Sequence, residues 1–240
     1  MLNHKALDRS NTMSLGHSIY YFILSLLLNS FGNVLTIVTS QKMHPSILGS
    51  AYWTATQSGF NKAVFNGSTS MLGWTFFGFG VLTALLNVIL QGHFDWKNFF
   101  GNLAFMVPFS MLISFFATEF SGLFPDVHNL LGGASYTLLN FIGVFFIAVA
   151  ISIYQRVNLV LHPADDLMQI LRFKYFKGNA IIAMWVSYIP PTIIGLIAII
   201  IYPDFTNYGL GTIFAFIFQG GITGWADSHI IPSLKHQRIN

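Results

Sequence analysis

Six stretches of this chain contain no charged residue and no His, and each is about as long as a bilayer is thick. They cover residues 19–38, 72–90, 99–117, 134–153, 181–202 and 208–226. A helix needs about 20 apolar residues to cross the hydrocarbon core. Backbone groups in lipid must bond within their own segment, and no stretch alternates as a barrel strand does. We therefore expect an all-α, polytopic membrane protein with about six transmembrane helices.

Composition supports a single membrane domain over residues 1–240. Only 8% of the residues are charged, whereas soluble domains carry about 25%. The net charge of +3 does not indicate a nucleic-acid partner, because the 11 Lys and Arg residues lie between the apolar stretches. Cysteine is absent, which excludes disulfides, thiolate metal sites and thiol nucleophiles. We expect no cofactor, no metal site and no nucleic-acid partner, and the lipid bilayer is the main partner.

The charges between the stretches predict the orientation. Segment 118–133 is acidic, with Glu119 and Asp126, whereas the connection after the fourth stretch is basic. Its bases are Arg156, Arg172, Lys174 and Lys177. Cytoplasmic connections carry the excess of Lys and Arg, so this connection and both termini are expected in the cytoplasm of a bacterial cell, with the chain in its plasma membrane. Only Lys42 and Lys62 oppose this orientation.

The chain also shows an internal repeat. Segments 16–118 and 134–228 each read as a spanning helix, a His-Pro segment and two more spanning helices. The His-Pro pairs are His44-Pro45 and His162-Pro163. Because each half has three spans, an odd number, two halves of one fold must be inverted relative to each other. Inverted repeats are a basis of alternating-access transport, with the solute site at the repeat interface.

Small and hydroxyl residues follow His44-Pro45, and Trp53 and Gln57 come next. Such a segment can approach another helix or a solute closely. Two interpretations stay open, a short half-helix that dips into the membrane and a half-exposed loop helix outside it.

The second His-Pro segment has acids in its first turn and a base at its end, an order that suits a short helix. One interpretation is an interfacial helix whose Lys174 and Lys177 meet anionic headgroups. In the other, Asp165 or Asp166 lines a cavity between the halves and binds a cation, a proton or a hydroxylated solute. His162 could titrate beside these acids or simply start the helix.

Asn140 and Gln219 are among the strongest polar groups inside the spans, together with Asn29, Asn33, Asn87 and Asn102. Such side chains face a cavity or bond to a neighbouring helix. Pro108 and Gly220-Gly221 interrupt the third helix of each half, which can mark a binding site. The predicted solute-binding residues are His44, Trp53, Gln57, Asn140, His162, Asp165, Asp166 and Gln219.

The pattern Pro163-x-Asp165-x-Leu167-Met168, with Gly209-Leu210-Gly211-Thr212 opening the last stretch, resembles the YitT/YczE group of bacterial membrane proteins. Val160 and His162 stand where that group has glycines, and Pro45-Ser46-Ile47 stands where it often has Pro-Trp-Asp. The resemblance implies a polytopic fold with two related halves, sometimes labelled a permease. The activity of that group is largely uncharacterised, so the resemblance bears on architecture more than on mechanism.

These features predict a permease-like transporter of a small neutral or weakly polar solute, and leave homo-oligomerisation open. The alternative is a non-transporting protein that recruits partners through its basic cytoplasmic connection. An enzyme is not expected, because no Ser-His-Asp order, zinc spacing, P-loop or dinucleotide fingerprint occurs. A lipid-modifying enzyme, the third class, would have to use His162, Asp165 and Asp166 as its acid and base groups.

Overall fold

A computed structural model describes residues 13–236, and this part of the chain is helical without a β-strand. Both termini are predicted to lie in the cytoplasm, and their basic residues Lys5, Arg9 and Arg238 are outside the described residues. The helices are α1 Leu15–Lys42, α2 Tyr52–Phe65, α3 Thr69–Gln91, α4 Trp96–Leu123, α5 Leu130–Val157, α6 Pro163–Ile170, α7 Ala180–Ser187, α8 Ile189–Ile201 and α9 Leu210–His229. A π-helical turn, Leu171–Tyr175, continues α6.

Five helical segments of the described chain are long and apolar enough to cross a membrane, which indicates a polytopic membrane protein. They are Leu15–Lys42, Gly73–Gln91, Trp96–Leu123, Leu130–Val157 and Ala180–Ile201. The last segment joins α7 and α8 through Tyr188. Large apolar side chains cover the outside of the bundle, such as Ile200 at 81% and Ile89 at 74% exposed. Such a surface is unfavourable in water and suits contact with lipid.

The sixth predicted span corresponds to α9, which has 20 residues but is not among the five apolar segments. Gln219, Gly220, Gly221 and Asp227 lower its apolar content. The sequence predicts this helix correctly, but its length and hydropathy alone do not show that it spans the membrane.

Helices α1 and α5 cross at the centre of the bundle. A Cβ atom on Gly32 would lie 2.6 Å from the carbonyl oxygen of Gly143, and a Cβ atom on Gly143 would lie 2.8 Å from that of Gly32. Two glycines let the backbones approach where larger residues would hold them apart. The crossing pair carries α4 against α1 and α9 against α5.

Helices α2 and α6, which we call the two short helices, pack between the long helices. Helix α2 lies against α8, and α6 lies against α3. Further contacts join α3 to α4, α7 to α9, α2 to α3 and α6 to α7. Each short helix is therefore enclosed by spans from both halves of the sequence.

The connections gather at two opposite ends of the bundle. At the Asp126 end, His44 donates its backbone N–H to the carbonyl of Val127 (2.8 Å), and Ser50 donates to that of Asn207 (3.1 Å). The connections before α2, after α4 and after α8 therefore meet there.

At the Arg156 end, the Arg156 guanidinium donates to the carbonyl of Ile230 (2.8 Å). Lys174 donates to the carbonyl of Leu90 (3.0 Å). The ends of α3, α5 and α9 and the turn after α6 therefore lie together.

Candidate functional site

A buried cavity of about 50 Å³ lies between the first turns of α2 and α6. Side chains from both halves of the sequence line it. Its polar lining consists of Asn29, Asn33, Tyr52, Trp53, Thr54 and Gln57 from the first half and His162, Asp165, Tyr188 and Gln219 from the second. A water molecule needs about 10 to 15 Å³ of such volume, so the cavity has room for a few waters or one very small solute.

Helix α2 begins at the cavity and runs to the Asp126 end. The Tyr52 hydroxyl is 2.7 Å from the Thr192 hydroxyl in the first turn of α8, and Thr56 donates to the carbonyl of Pro191 (3.1 Å). Lys62, ten residues after Tyr52, forms an ion pair with Asp204 in the connection after α8. The 14 residues of α2 rise about 21 Å, which is less than the hydrocarbon thickness.

An extended segment carries the chain from the Asp126 end down to the start of α2. Leu210 donates its N–H to the carbonyl of Ile47 (2.9 Å), and Gly211 donates to that of Leu48 (2.7 Å). Gly49 has φ +65°, and a Cβ atom there would collide with Gly209. The small residues after His44-Pro45 are therefore needed for close approach to another helix, and α2 starts seven residues after Pro45 rather than at it.

Helix α6 begins at the cavity from the other side and runs to the Arg156 end. The ring of His162 packs edge-on against Phe105 and Phe109, and Phe109 lies midway along α4. The π turn after α6 brings Lys174 to the carbonyl of Gln91 (2.7 Å), at the end of α3. The two short helices thus start at one cavity and leave it in opposite directions.

A chain of side-chain hydrogen bonds connects these two helix starts. Thr54 donates to Asn33 Oδ1 (2.7 Å), and Asn33 donates to Asn29 Oδ1 (2.6 Å). Asn29 donates to the Tyr154 hydroxyl (2.9 Å), which donates in turn to the carboxylate of Asp165. Spans α1 and α5 therefore couple the first turn of α2 to the first turn of α6 through buried polar groups.

Several polar atoms at the cavity have no protein partner. Gln57 is 3% exposed, and its side chain makes no hydrogen bond within residues 13–236. Gln219 accepts a hydrogen bond from Tyr188 through Oε1 (3.1 Å), which leaves its Nε2 donors free toward described residues. Buried polar groups are normally paired, so unpaired ones at a cavity indicate that water or a solute pairs with them.

Five of the eight predicted solute-binding residues line this cavity, namely Trp53, Gln57, His162, Asp165 and Gln219. The structure places the other three elsewhere. Asn140 donates to the carbonyls of Thr36 and Gly49 (3.1 Å each), which is the interhelical bonding considered as the alternative.

His44 lies at the Asp126 end, with its ring nitrogen 3.2 Å from Asp126 and its ring stacked on His128. The hydrogen bond from His44 lowers the pKa of Asp126 below its ordinary value. The pair is exposed and distant from the cavity lining, so it belongs to the surface of this end.

Asp166 points away from the cavity and toward the Arg156 end. Its Oδ2 accepts hydrogen bonds from Asn102 (2.7 Å), Asn98 (2.9 Å) and Asn87 (3.1 Å). The two adjacent acids of α6 therefore have different surroundings, because successive helical side chains point about 100° apart.

Sequence reasoning did not assign Tyr154, Thr54 or Tyr188 to the site. Asn29 and Asn33 were singled out as polar groups in a span, but without a role in binding. Tyrosine is common at the ends of spans for interfacial reasons, so no local pattern distinguishes Tyr154 from an anchor. Its position beside Asp165 depends on how α5 and α6 pack.

The basic connection predicted to recruit partners directs its two arginines inward. Arg156 is 1% exposed and donates to the carbonyls of Asp227 (3.3 Å), Ile230 (2.8 Å), Ile231 (2.9 Å) and Leu234 (3.1 Å). Arg172 donates to the Asp227 carboxylate (2.6 Å). These charges stabilise the end of α9 and the segment after it.

The comparisons with known proteins identify a family and leave its activity open. No curated protein and no solved structure matches the chain. One family model, described as a family of unknown function (DUF6198), matches residues 16–228 and thereby covers all the helices that build the cavity except the first residue of α1 and the last of α9. The chain belongs to this DUF6198 family.

Proposed function

We propose that the protein is a permease-like transporter of a small neutral or weakly polar solute, which binds in the cavity between α2 and α6. The chain would lie in a bacterial plasma membrane with the Arg156 end in the cytoplasm, as the distribution of Lys and Arg favours. We also propose that the chain is related to the YitT/YczE group, which it resembles in sequence and which is sometimes labelled as permeases.

The observation that carries the proposal is the partly enclosed cavity, lined by both polar and apolar side chains, at the meeting point of α2 and α6. Discontinuous helices that meet near the middle of a bundle form the solute sites of many transporters. Here the first turns of α2 and α6 approach one cavity from opposite ends, and the unpaired amide of Gln57 faces it.

The packing of the two halves supports an inverted repeat with six spans, in which α9 is the sixth. If α1, α2, α3 and α4 correspond to α5, α6, α7–α8 and α9, most contacts in one half have a counterpart in the other. The contact of α2 with α8 corresponds to that of α6 with α3, and the contact of α1 with α4 to that of α5 with α9. Under this correspondence the cavity lies on the axis that relates the halves.

The cavity favours a neutral solute. Its single carboxylate, Asp165, already accepts a hydrogen bond from Tyr154. The groups left over are Asp165 Oδ1, the donors and acceptors of Gln57, the amide nitrogen of Gln219 and the indole N–H of Trp53. A small molecule with both a donor and an acceptor would satisfy them, whereas a bare ion would leave some unpaired.

Alternating access can be tested with single cysteines, because the chain has none of its own. Ala51 and Ala164 both line the cavity at the starts of α2 and α6, and Ala→Cys adds only one atom. Ala183, equally buried on α7 but outside the cavity lining, provides the matched control. Each variant is labelled in sealed vesicles with a membrane-impermeant maleimide, from one side and then from the other.

We expect the cysteines at positions 51 and 164 to react from both sides, and the cysteine at position 183 to react from neither. A maleimide does not fit in about 50 Å³, so labelling requires the cavity to open. Reaction of each cysteine from one side only, or from neither side, with full labelling after denaturation, would contradict a transport pathway.

A further inference from the structure

A second opening, which we call the vestibule, lies at the Arg156 end between the start of α4, the connection from α5 to α6, and α6 itself. Its volume is about 590 Å³, and it shares no lining residue with the cavity between α2 and α6. Asp166 is part of its wall although only 3% of this residue is exposed.

The Asp166 carboxylate has one occupied and one free oxygen. Asn87, Asn98 and Asn102 all donate to Oδ2, whereas Oδ1 accepts no hydrogen bond from the described chain. Three amide donors on one oxygen favour the ionised carboxylate and fix its orientation. The carboxylate is therefore held in a fixed orientation at the wall of the vestibule, with one oxygen left to bind.

Two of these three asparagines also have amide oxygens that accept no hydrogen bond. Asn87 Oδ1 and Asn102 Oδ1 are buried and without a hydrogen-bond partner, and each of these residues is 1% exposed. Gln169 Oε1, in the wall of the vestibule, is in the same state. The nearby ammonium of Lys174 is not their partner, because it donates to the carbonyls of Leu90 and Gln91. Buried polar groups are normally paired, so these acceptors indicate a ligand that the described residues do not supply.

We propose that Asp166, together with the amide oxygens of Asn87 and Asn102, binds a hard monovalent cation that enters through the vestibule. Carboxylate and amide oxygens are ligands of hard cations. A single carboxylate balances one positive charge, whereas divalent sites usually supply more acidic groups. The inference concerns binding and does not depend on transport through the other cavity.

The test measures thermal unfolding of the purified full-length protein by tryptophan fluorescence. NaCl is titrated against choline chloride at constant ionic strength, so that only the size and type of cation change. Ligand at ten times its Kd should raise Tm by roughly 3 to 6 °C for a protein of this size. We expect a saturable rise for the wild type and none for Asp166→Asn.

Asp95→Asn provides the matched control, because Asp95 also lines the vestibule but binds the backbone N–H of Asn98 as a helix cap. Asparagine caps helices equally well, so this variant should keep the Na⁺ response. If Asp166→Asn does not fold, Asn98→Ala should weaken the Na⁺ response at least threefold in midpoint concentration.

Three results would overturn the proposal. Choline could stabilise the wild type as much as Na⁺ does, Asp166→Asn could keep the full response, or Ca²⁺ could saturate the effect where Na⁺ has none. The cysteine labelling described above is independent of all three, so the two proposals can fail separately.

Discussion

Helices α2 and α6 both begin at the cavity, but their first turns provide different chemistry. The start of α2 is uncharged and is held by backbone hydrogen bonds between residues 47–50 and 207–211. The start of α6 has two carboxylates, each held by side chains from other helices. Backbone hydrogen bonds therefore position the uncharged start of α2, whereas side-chain hydrogen bonds position the two carboxylates of α6, of which Asp165 lines the cavity and Asp166 does not.

Gly49→Ala should have the largest effect, because it disrupts the backbone anchor that only α2 has. A Cβ atom would have to sit at φ +65° and 2.6 Å from the Thr212 hydroxyl. Left-handed backbone costs about 1 to 2 kcal/mol and overpacking about 1 to 3 kcal/mol more. We expect a loss of about 2 to 5 kcal/mol, measured by thermal or denaturant unfolding in detergent.

Gly67→Ala is the control for this substitution. Its φ is +72°, but the nearest atom to a Cβ there lies 4.0 Å away. Only the backbone cost of about 1 to 2 kcal/mol should remain. Equal losses at positions 49 and 67 would mean that the contact of Gly49 with Gly209 contributes nothing.

In the hydrogen-bond chain between the two helix starts, a substitution at the Asp165 end should lower stability more than one at the Thr54 end. Tyr154→Phe removes the donor to the Asp165 carboxylate and the acceptor of Asn29, so we expect a loss of about 2 to 3 kcal/mol. Thr54→Val removes one neutral bond to Asn33 and should cost about 1 kcal/mol.

Both variants are measured by thermal unfolding, with the exposed Tyr20→Phe as a control that should lie within about 0.5 kcal/mol of the wild type. If Thr54→Val cost as much as Tyr154→Phe, the two ends of the chain would not differ in the way that their chemistry suggests.

The two cavity glutamines should respond in opposite directions when replaced by leucine. Gln57 has no hydrogen bond to another described residue to lose, so Gln57→Leu should leave stability unchanged or raise it by about 1 kcal/mol. Gln219→Leu removes the acceptor of the buried Tyr188 hydroxyl and should cost about 1 to 2 kcal/mol. A loss for Gln57→Leu equal to that for Gln219→Leu would show that Gln57 has a protein partner.

The ion pair of Lys62 with Asp204 should have the smallest effect, because both partners lie near the surface and the lysine is part-exposed. Burial would raise the pKa of Asp204, but hydrogen bonds from Lys62 and Thr206 lower it below its ordinary value of 3.8. Lys62→Met should cost at most about 1 kcal/mol at pH 6.

A carboxyl whose pKa is lowered in the folded protein contributes stability above its unfolded pKa and loses it as the pH falls through the folded value. The difference between wild type and Lys62→Met in thermal unfolding should therefore begin to shrink as the pH falls below about 3.8 and should vanish once the pH is below the lowered pKa of the folded protein. A difference that persists in acid would show that the lysine stabilises α2 through its alkyl chain.

The spans could be predicted because their apolar character is a local property of about 20 consecutive residues. The depth of α2 could not be predicted in this way, since Ser50, Thr54 and Thr56 are polar enough for a loop helix. Their partners lie far along the sequence or in another span, since Thr56 bonds to Pro191 of α8, Thr54 to Asn33 of α1 and Ser50 to Asn207. Local patterns contain no information on such a partner.

The candidate site was predictable to the extent that it follows the repeat. Matching His-Pro segments led to Trp53, Gln57, His162 and Asp165, which the structure brings to one cavity. The separation of Asp165 from Asp166 depends on which face of a short helix meets α5 and which meets α4. Neighbouring acids in a sequence cannot be distinguished before that packing is known.

The position of Arg156 has a consequence for the order in which the protein matures during translation. Its partner Asp227 follows 71 residues later. At about 5 to 20 residues per second, the ribosome needs roughly 4 to 14 s to make that stretch. During this interval the cation at the end of α5 lacks the carbonyls and the carboxylate that later surround it, so it must stay hydrated. The Arg156 end can therefore reach its folded arrangement only after residues 227–234 have been made.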